Sequence, residues 1–232
     1  QINILDIQKK ITKKTKAIIP VHWGGMSPQM DKIIKICKKK KIKIIEDCAE
    51  AFGTTFKNIH VGKFGDFGTF SFFGNKTITT GEGGMLIFKK KENYNLALKL
   101  RNHGMNLLKK YWHDEVGYNF RMTNMQAAVG LAQLEQANYF VKKKIDIQKK
   151  FLLKLRNVNE INFPKKIKKI KNSHWLTYFK VKKSENNKSL REELIKFLNN
   201  EGIEVRAGFF SAHLMNMYKK YYIYALQLKN KV

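Results

Sequence analysis

The sequence predicts an α/β fold in which a large domain with a mostly parallel sheet precedes a smaller α+β domain. Short β-branched runs alternate with amphipathic helical segments in the first half of the chain. After Asn157 the pattern changes to a Lys-rich linker followed by an alternating segment. The 232 residues suffice for two cores. We therefore expect a large domain over 1–155 and a small one over 156–232.

The first elements form a βαβ unit. Lys16–Val21 is a β-branched run that predicts a buried strand, and Lys43–Asp47 is a second. Between them, Met30–Lys40 carries apolar residues at helical spacing with lysines on the other side. Such a unit implies parallel strands whose ligands lie at the carboxyl ends. Asp47 lies at one such end.

The later elements follow from the same patterns. In the large domain we expect strands at Gly68–Phe73 and Met85–Phe88, a helix at Glu92–Asn102, and a helical stretch over Thr123–Leu155 that breaks near Asn138. In the small domain we expect a strand at Trp175–Val181, a helix at Ser189–Asn199 and a strand at Ile203–Arg206.

The formal net charge of +28 is the most unusual bulk property. Alone it would suggest a polyanionic partner such as nucleic acid. However, only five of the 46 basic residues are arginines, whereas readers of nucleic acid favour the bidentate arginine fork. We therefore favour a solvated lysine-rich surface and expect no nucleic-acid partner. A nucleotide-linked substrate would still benefit from the positive field.

The two cysteines, Cys37 and Cys48, offer neither a disulfide framework nor a thiolate metal site. The sequence shows no secretory signal and no apolar stretch long enough for a membrane span. We therefore expect a cytoplasmic protein without a membrane partner.

The strongest functional motif is FSFFGNKTITTGEGGM, Phe70–Met85. Lys76 follows an aromatic strand and precedes a run of Thr and Gly, where its amine can be desolvated enough to attack an aldehyde. A single lysine in this sequence is by default a surface charge. The surrounding motif favours Lys76 as a nucleophile instead.

A second motif is IIEDCAEAFG, Ile44–Gly53. An acid at the end of a parallel strand can pair with a protonated pyridine nitrogen, and Asp47 fits that role. The same arrangement occurs in unrelated folds, where the acid only caps the strand. The motif is therefore moderately specific.

These two motifs, together with YWHDEVGYNFRMTNMQAAVGLAQLEQA at Tyr111–Ala137, resemble the DegT/DnrJ/EryC1/StrS family of pyridoxal-phosphate (PLP) sugar aminotransferases. In detail the third block is most similar to the family's GDP-perosamine synthases. The resemblance extends to about Arg206 and implies fold type I with PLP as cofactor. Family members continue beyond both ends of the matching region, so the resemblance also leads us to expect that N- and C-terminal parts are lacking.

The resemblance also implies site residues. Lys76 would bind the cofactor covalently and move the proton, and Asp47 would pair with the pyridine nitrogen. Glu50 would contact the phenolic oxygen and Ser71 the phosphate. Asn119 would reach the phosphate of a neighbouring subunit, so the site would require a homodimer.

Three further residues are weaker candidates for contacting substrate. Arg121 has a guanidinium suited to the phosphates of a nucleotide. His22 and His103 could face the site, although a histidine at the position of His22 is as often structural, and for His103 an ordinary loop histidine is the favoured interpretation. Because the six histidines show no ligand spacing with acids or cysteines, we expect no metal.

The activity that the resemblance implies is transfer of an amino group from glutamate to the 4-keto carbon of a nucleotide-linked 4-keto-6-deoxy sugar, in the synthesis of surface polysaccharide or O-antigen sugars. A dehydratase on the same scaffold replaces the lysine by histidine, and Lys76 argues against it. Two alternatives remain open: a non-catalytic scaffold or sensor derived from the family, and, less favoured, a basic nucleic-acid-binding protein.

Overall fold

The computed structural model describes residues 2–182, 190–210 and 214–221. The helices are α1 Ile4–Lys10, α2 Met30–Lys40, α3 Lys91–Arg101, α4 Asn124–Glu135, α5 Ala137–Lys154 and α6 Leu190–Asn200. The strands are β1 Ala17–Ile18, β2 Lys43–Asp47, β3 Thr55–Phe56, β4 Ile59–His60, β5 Phe67–Ser71, β6 Gly84–Phe88, β7 Ile161–Asn162, β8 Ile170–Lys171 and β9 Lys180–Val181.

Two compact units are formed. The first comprises 1–158 and 163–179, and the second comprises 159–162 and 180–232. Within the second unit, β7 and β9 pair antiparallel and α6 follows. The helix predicted at Ser189–Asn199 is therefore present, although Ser189 itself lies outside the described residues.

The main sheet of the first unit has the strand order β1-β2-β5-β6. β1, β2 and β5 are mutually parallel, and β6 runs antiparallel to β5 as its hairpin partner. The predicted mostly parallel sheet is confirmed. β2 and β5 pair in a register that places Asp47 beside Thr69, so their carboxyl ends meet at one edge of the sheet.

Helix α2 packs against this sheet through the face that the sequence predicted. Met30, Ile33 and Cys37 are almost completely buried on it and cluster with Ile44 of β2. Lys41 ends the helix in a left-handed conformation, which turns the chain directly into β2. The βαβ unit is therefore confirmed at residue level.

β1 is shorter than expected because Pro20 has no N–H to donate to the sheet. The pairing with β2 resumes beyond it, where Val21 bridges Asp47 and the Asp47 N–H donates to the Pro20 carbonyl at 3.0 Å. The predicted Lys16–Val21 segment thus follows β2 to its end, although only two residues form regular strand.

Two predicted strands differ from the structure. Trp175–Val181 is regular only at Lys180–Val181, because Trp175 is inserted into the interior. Ile203–Arg206 forms no strand: Ile203 is exposed, and the Val205 N–H donates to the Asn199 side chain instead of to a neighbouring strand. The long helical stretch breaks at Gln136, two residues before the predicted position.

A short sheet of strand order β4-β3-β8 was not predicted. The β3–β4 hairpin turns at Lys57 and Asn58, which both have positive φ. β8 joins it from more than a hundred residues later in the chain. Among the described residues, no helix is long and apolar enough to cross a membrane.

Candidate active site

The carboxyl edge of β2 and β5 brings two predicted site residues together. Asp47 ends β2 and Ser71 ends β5, and the strands are parallel neighbours. Asp47 is half-buried, and its Oδ1 accepts from the Ala49 N–H at 3.0 Å. The Ser71 Oγ accepts from the Phe73 N–H at 3.3 Å. A carboxylate and a hydroxyl therefore face one edge of the sheet, where ligands bind in folds of this type.

Lys76 lies in the turn that follows β5. Its N–H donates to the Phe73 carbonyl at 2.9 Å, which fixes the turn. Its ammonium lies over the ring of Trp175, with Nζ 4.0 Å from the ring centroid. The side chain is half-buried, so the amine remains reachable by a small molecule.

Glu50 lies just beyond β2 and joins it by a hydrogen bond to the segment that follows β1. Its Oε2 accepts from the Gly24 N–H at 2.7 Å. The Tyr178 ring packs on Trp23 with ring centroids 4.3 Å apart, and it occupies the space that a Gly24 Cβ would need. The Tyr178 hydroxyl oxygen is buried and has no hydrogen-bond partner among the residues that the structure describes. Burial and the Glu50 charge both raise the pKa of this phenol, which therefore remains a hydrogen-bond donor.

Glu46, which precedes Asp47, is completely buried on the opposite face of β2. Its Oε2 accepts from the Gly62 N–H at 2.8 Å, and its Oε1 accepts from the Phe64 and Gly65 N–H groups at 2.7 and 2.6 Å. Burial opposes its ionisation, but the His22 ring and the backbone donors outweigh this and hold the carboxyl pKa below its usual value.

His22 is completely buried, and its Nε2 lies 3.0 Å from Glu46 Oε2. Its Nδ1 is buried and has no hydrogen-bond partner in the described part of the chain. With Cys48, the His22–Glu46 pair forms a compact group of possible metal ligands. Both Glu46 oxygens already accept two hydrogen bonds each, and burial raises the pKa of the Cys48 thiol. These contacts favour a hydrogen-bonded structural group, and the absence of a metal stays a prediction.

The remaining predicted residues form a second, exposed cluster after α3. Asn119 bridges Asn102, and Arg121 Nη1 lies 3.4 Å from the Asn102 Oδ1. His103 has a positive φ, and its N–H donates to the Tyr118 carbonyl at 2.9 Å. The structure therefore groups His103, Asn119 and Arg121 with one another, on a surface separate in sequence from the sheet edge.

Sequence reasoning missed Glu46, Trp175 and Tyr178. Glu46 could have been found, because an acid beside Asp47 on a buried strand must face the interior and needs donors, which the nearby glycine-rich segment can supply. Trp175 and Tyr178 carry no comparable local signal.

This mostly parallel sheet, with a lysine turn and an acid at its carboxyl edge, is the fold of the type I PLP-dependent transferases. Residues 1–231 match the model of the DegT/DnrJ/EryC1/StrS aminotransferase family, and the chain belongs to that family.

Among its relatives, the GDP-perosamine synthase of Escherichia coli O157:H7 is 43% identical over 96% of this chain and 59% of that protein. The chain thus spans about three-fifths of the length of this relative. Helicobacter pylori PseC, an aminotransferase involved in the biosynthesis of pseudoaminic acid, aligns with a TM-score of 0.88 and 26% identity, over 94% of this chain and 59% of that one. The E. coli GDP-4-keto-6-deoxy-D-mannose-3-dehydratase, solved with bound hydrated PLP, aligns with a TM-score of 0.84 and 30% identity, over 93% and 59%.

Proposed function

We propose that this chain carries the cofactor-binding and proton-transferring groups of a PLP-dependent sugar aminotransferase. The reaction would move an amino group from glutamate to the 4-keto carbon of a nucleotide-linked 4-keto-6-deoxy sugar, as a GDP-perosamine synthase does, in the synthesis of surface polysaccharide or O-antigen sugars. The observation that carries the proposal is the placement of Asp47 and Ser71 at one sheet edge, with Lys76 in the adjoining turn. The 43% identity to a GDP-perosamine synthase supports the choice of substrate.

The chemistry of the groups present fits PLP. Lys76 offers an amine for the aldehyde, Asp47 an acceptor for the ring nitrogen and Ser71 a hydroxyl for the phosphate. Within the described ranges, the buried Tyr178 hydroxyl beside Glu50 has no acceptor, as expected of a donor that faces a ligand. These residues are complementary to a compact ligand that combines an aldehyde, a ring nitrogen and a phosphate.

Bound PLP supplies an electron sink that stabilises negative charge at the carbon losing its proton. Asp47 would pair with the protonated ring nitrogen and so preserve that sink. The Lys76 amine would hold the cofactor and would move a proton at the reacting carbon, as a general base and then as a general acid. Ser71 and Glu50 would fix the orientation of the ring, and Arg121 and His103 remain proposed substrate contacts. His22 is completely buried against Glu46, so we propose a structural role for it instead of the expected substrate contact.

A glutamate titration tests the proposed reaction. The purified protein is supplied with PLP, and the visible absorption band of the lysine-bound cofactor is followed. We expect L-glutamate to remove the band and the 4-keto-6-deoxy sugar nucleotide to restore it, since the two half-reactions share one site. L-alanine serves as the control donor. Retention of the band with glutamate, or release of a deoxygenated sugar without an amino group, would contradict the proposal and favour the sensor or the dehydratase.

We also propose that the protein acts as a homodimer with a shared site. The segment that carries Asn119 is unusually apolar for a surface: Leu108 is 97% exposed, Val116 86% and Met125 82%. Several large apolar side chains exposed on one segment are typical of an interface. A second copy of the chain is the proposed occupant, since the resemblance assigns Asn119 to the neighbouring subunit's phosphate.

The dimer proposal predicts that Leu108→Glu weakens self-association at least tenfold, about the effect of burying an unpaired charge at an interface. Sedimentation velocity over a range of concentrations measures the change. Leu5→Glu is the matched control, because Leu5 is also an exposed leucine, on α1. If both variants and the wild type associate equally strongly, this segment is not the dimer interface.

Two further aspects of the proposal concern organisation and location. We propose a cofactor-binding domain over 1–155 and a small domain over 156–232; the compact units differ from this division in that residues 163–179 belong to the first unit. A cytoplasmic location is supported by the two free cysteines, Cys37 and Cys48, which suit a reducing compartment.

A further inference from the structure

Trp175 makes an unexpected contact with the proposed cofactor lysine. It lies 99 residues after Lys76 and is only 5% exposed, yet the Lys76 ammonium lies over its ring at 4.0 Å. The indole Nε1–H also donates to the Asn75 carbonyl at 2.8 Å. One side chain therefore holds both the backbone before the lysine and the lysine's charge.

The backbone around Trp175 is itself fixed. The Ser173 N–H donates to Thr54 Oγ1 at 3.1 Å, and the two hydroxyl oxygens lie 2.9 Å apart. The Thr54 hydroxyl also lies 2.6 Å from the Gly25 carbonyl oxygen, and both Ser173 and Thr54 are completely buried. On the other side, the Lys144 ammonium donates to the Trp175 carbonyl at 3.1 Å. The indole is thus presented by a rigid support.

The contact between the Lys76 ammonium and the Trp175 ring is weak enough for the lysine to leave the ring when it reacts. A ring face attracts an ammonium more weakly than a carboxylate does in a desolvated site. Within the described part of the chain, no carboxylate lies within ion-pairing distance of Lys76 Nζ. The amine is therefore held near the sheet edge without being bound by an acid.

We propose that Trp175 is a positioning residue for Lys76: its indole retains the free amine beside the sheet edge whenever the lysine is not bound to the cofactor. The inference rests on the proposed function, because it assigns Lys76 to the cofactor. If Trp175 only fills space in the core, then a side chain of similar volume should replace it without any effect on the Lys76 amine.

Site-specific labelling of the cofactor-free protein separates the two roles. Each lysine's rate of acetylation by a limiting succinimidyl acetate is measured by peptide mass spectrometry, with the other lysines as internal references. Trp175→Met keeps much of the volume but removes the ring, so the Lys76 rate should rise about threefold or more, because the ring no longer covers and attracts the ammonium. Trp175→Phe keeps a ring and should restore a rate close to wild type.

The chain provides a matched control. Lys109 Nζ lies over Trp112 at the same 4.0 Å, outside the proposed site. Trp112→Met should raise the labelling of Lys109 and leave Lys76 unchanged. An unchanged Lys76 rate in a folded Trp175→Met variant would overturn the proposal.

Two further measurements guard against other failures. In the first, PLP is added and borohydride reduces the bond that it forms with a lysine, so that the fraction of Lys76 carrying the reduced cofactor can be measured. This fraction should fall at least threefold in Trp175→Met, about the effect of losing the ring contact. If the wild type captures no PLP at Lys76, the proposed function fails, whereas the acetylation rates still decide the role of Trp175.

If Trp175→Met does not fold, the fluorescence of Trp175 provides a second test of its contact with Lys76. The chain has three tryptophans, so replacing Trp23 and Trp112 by phenylalanine leaves Trp175 as the only one. In that background Lys76→Met should increase Trp175 emission, since a nearby ammonium quenches an indole, whereas Lys109→Met should not. Equal emission in all three proteins would exclude the contact.

Discussion

Replacing Lys76 by alanine is expected to lower glutamate-dependent amine transfer at least about a thousandfold, because one side chain supplies both the covalent attachment and the proton transfer. The visible band of bound PLP should disappear in the same variant. Spectra and single-turnover rates measure the two effects separately. The thermal midpoint of the cofactor-free protein should change little, because the Lys76 side chain is only half-buried.

Two variants make this expectation specific. Lys76→Arg preserves a cation for the Trp175 ring but removes the nucleophilic amine, so it should be as inactive as Lys76→Ala. Lys143→Ala removes a lysine that lies over an aromatic ring on α5, with Nζ 5.3 Å from the Tyr139 centroid, and should leave both signals unchanged. Substantial transfer by Lys76→Arg would show that the charge of the residue matters and its amine does not.

The parts of the site that could be predicted depend on local sequence. Asp47 was predictable because a β-branched run, an amphipathic helix and a second β-branched run define a βαβ unit, and the structure forms it within the expected bounds at α2 and β2. Lys76 was predictable because its surroundings, an aromatic strand and a Thr/Gly-rich turn, are contiguous in the chain. The sheet edge that joins them follows from the parallel order of the strands.

The parts that could not be predicted depend on contacts between distant segments. The sequence predicts Trp175 within a strand, whereas its side chain fills the interior next to Asn75 and Lys76. β8 pairs with β3 across more than a hundred residues, and no periodicity encodes that partnership. Ile203–Arg206 has the composition of a strand, but a strand also needs a neighbour, and composition does not supply one.

Glu46→Gln should destabilise the protein by about 3 kcal/mol, the usual cost of breaking a buried charged hydrogen-bond group. The carboxylate accepts from three backbone N–H groups and from His22. A glutamine has the same shape, but its NH2 group can only donate, so at least one buried donor loses its acceptor. Because these contacts fix the loop 62–65 next to β2, the variant should also loosen the support beneath Asp47. Urea denaturation at neutral pH measures the cost, and Glu92→Gln, an exposed residue on α3, should change stability by less than about 0.5 kcal/mol.

The pH dependence of this effect has a definite sign. Since the folded-state pKa of Glu46 lies below the ordinary value of 4.5, the unfolded chain binds a proton more readily than the folded one. The stabilisation is therefore complete above pH 4.5 and is lost as the pH falls through the lower folded-state pKa. The difference in unfolding free energy between wild type and Glu46→Gln should be constant from pH 7 down to about 5 and shrink at more acidic pH. If this difference in unfolding free energy instead grew on acidification, Glu46 would be protonated in the folded protein. The loop 62–65 would then not be held by a hydrogen-bonded carboxylate.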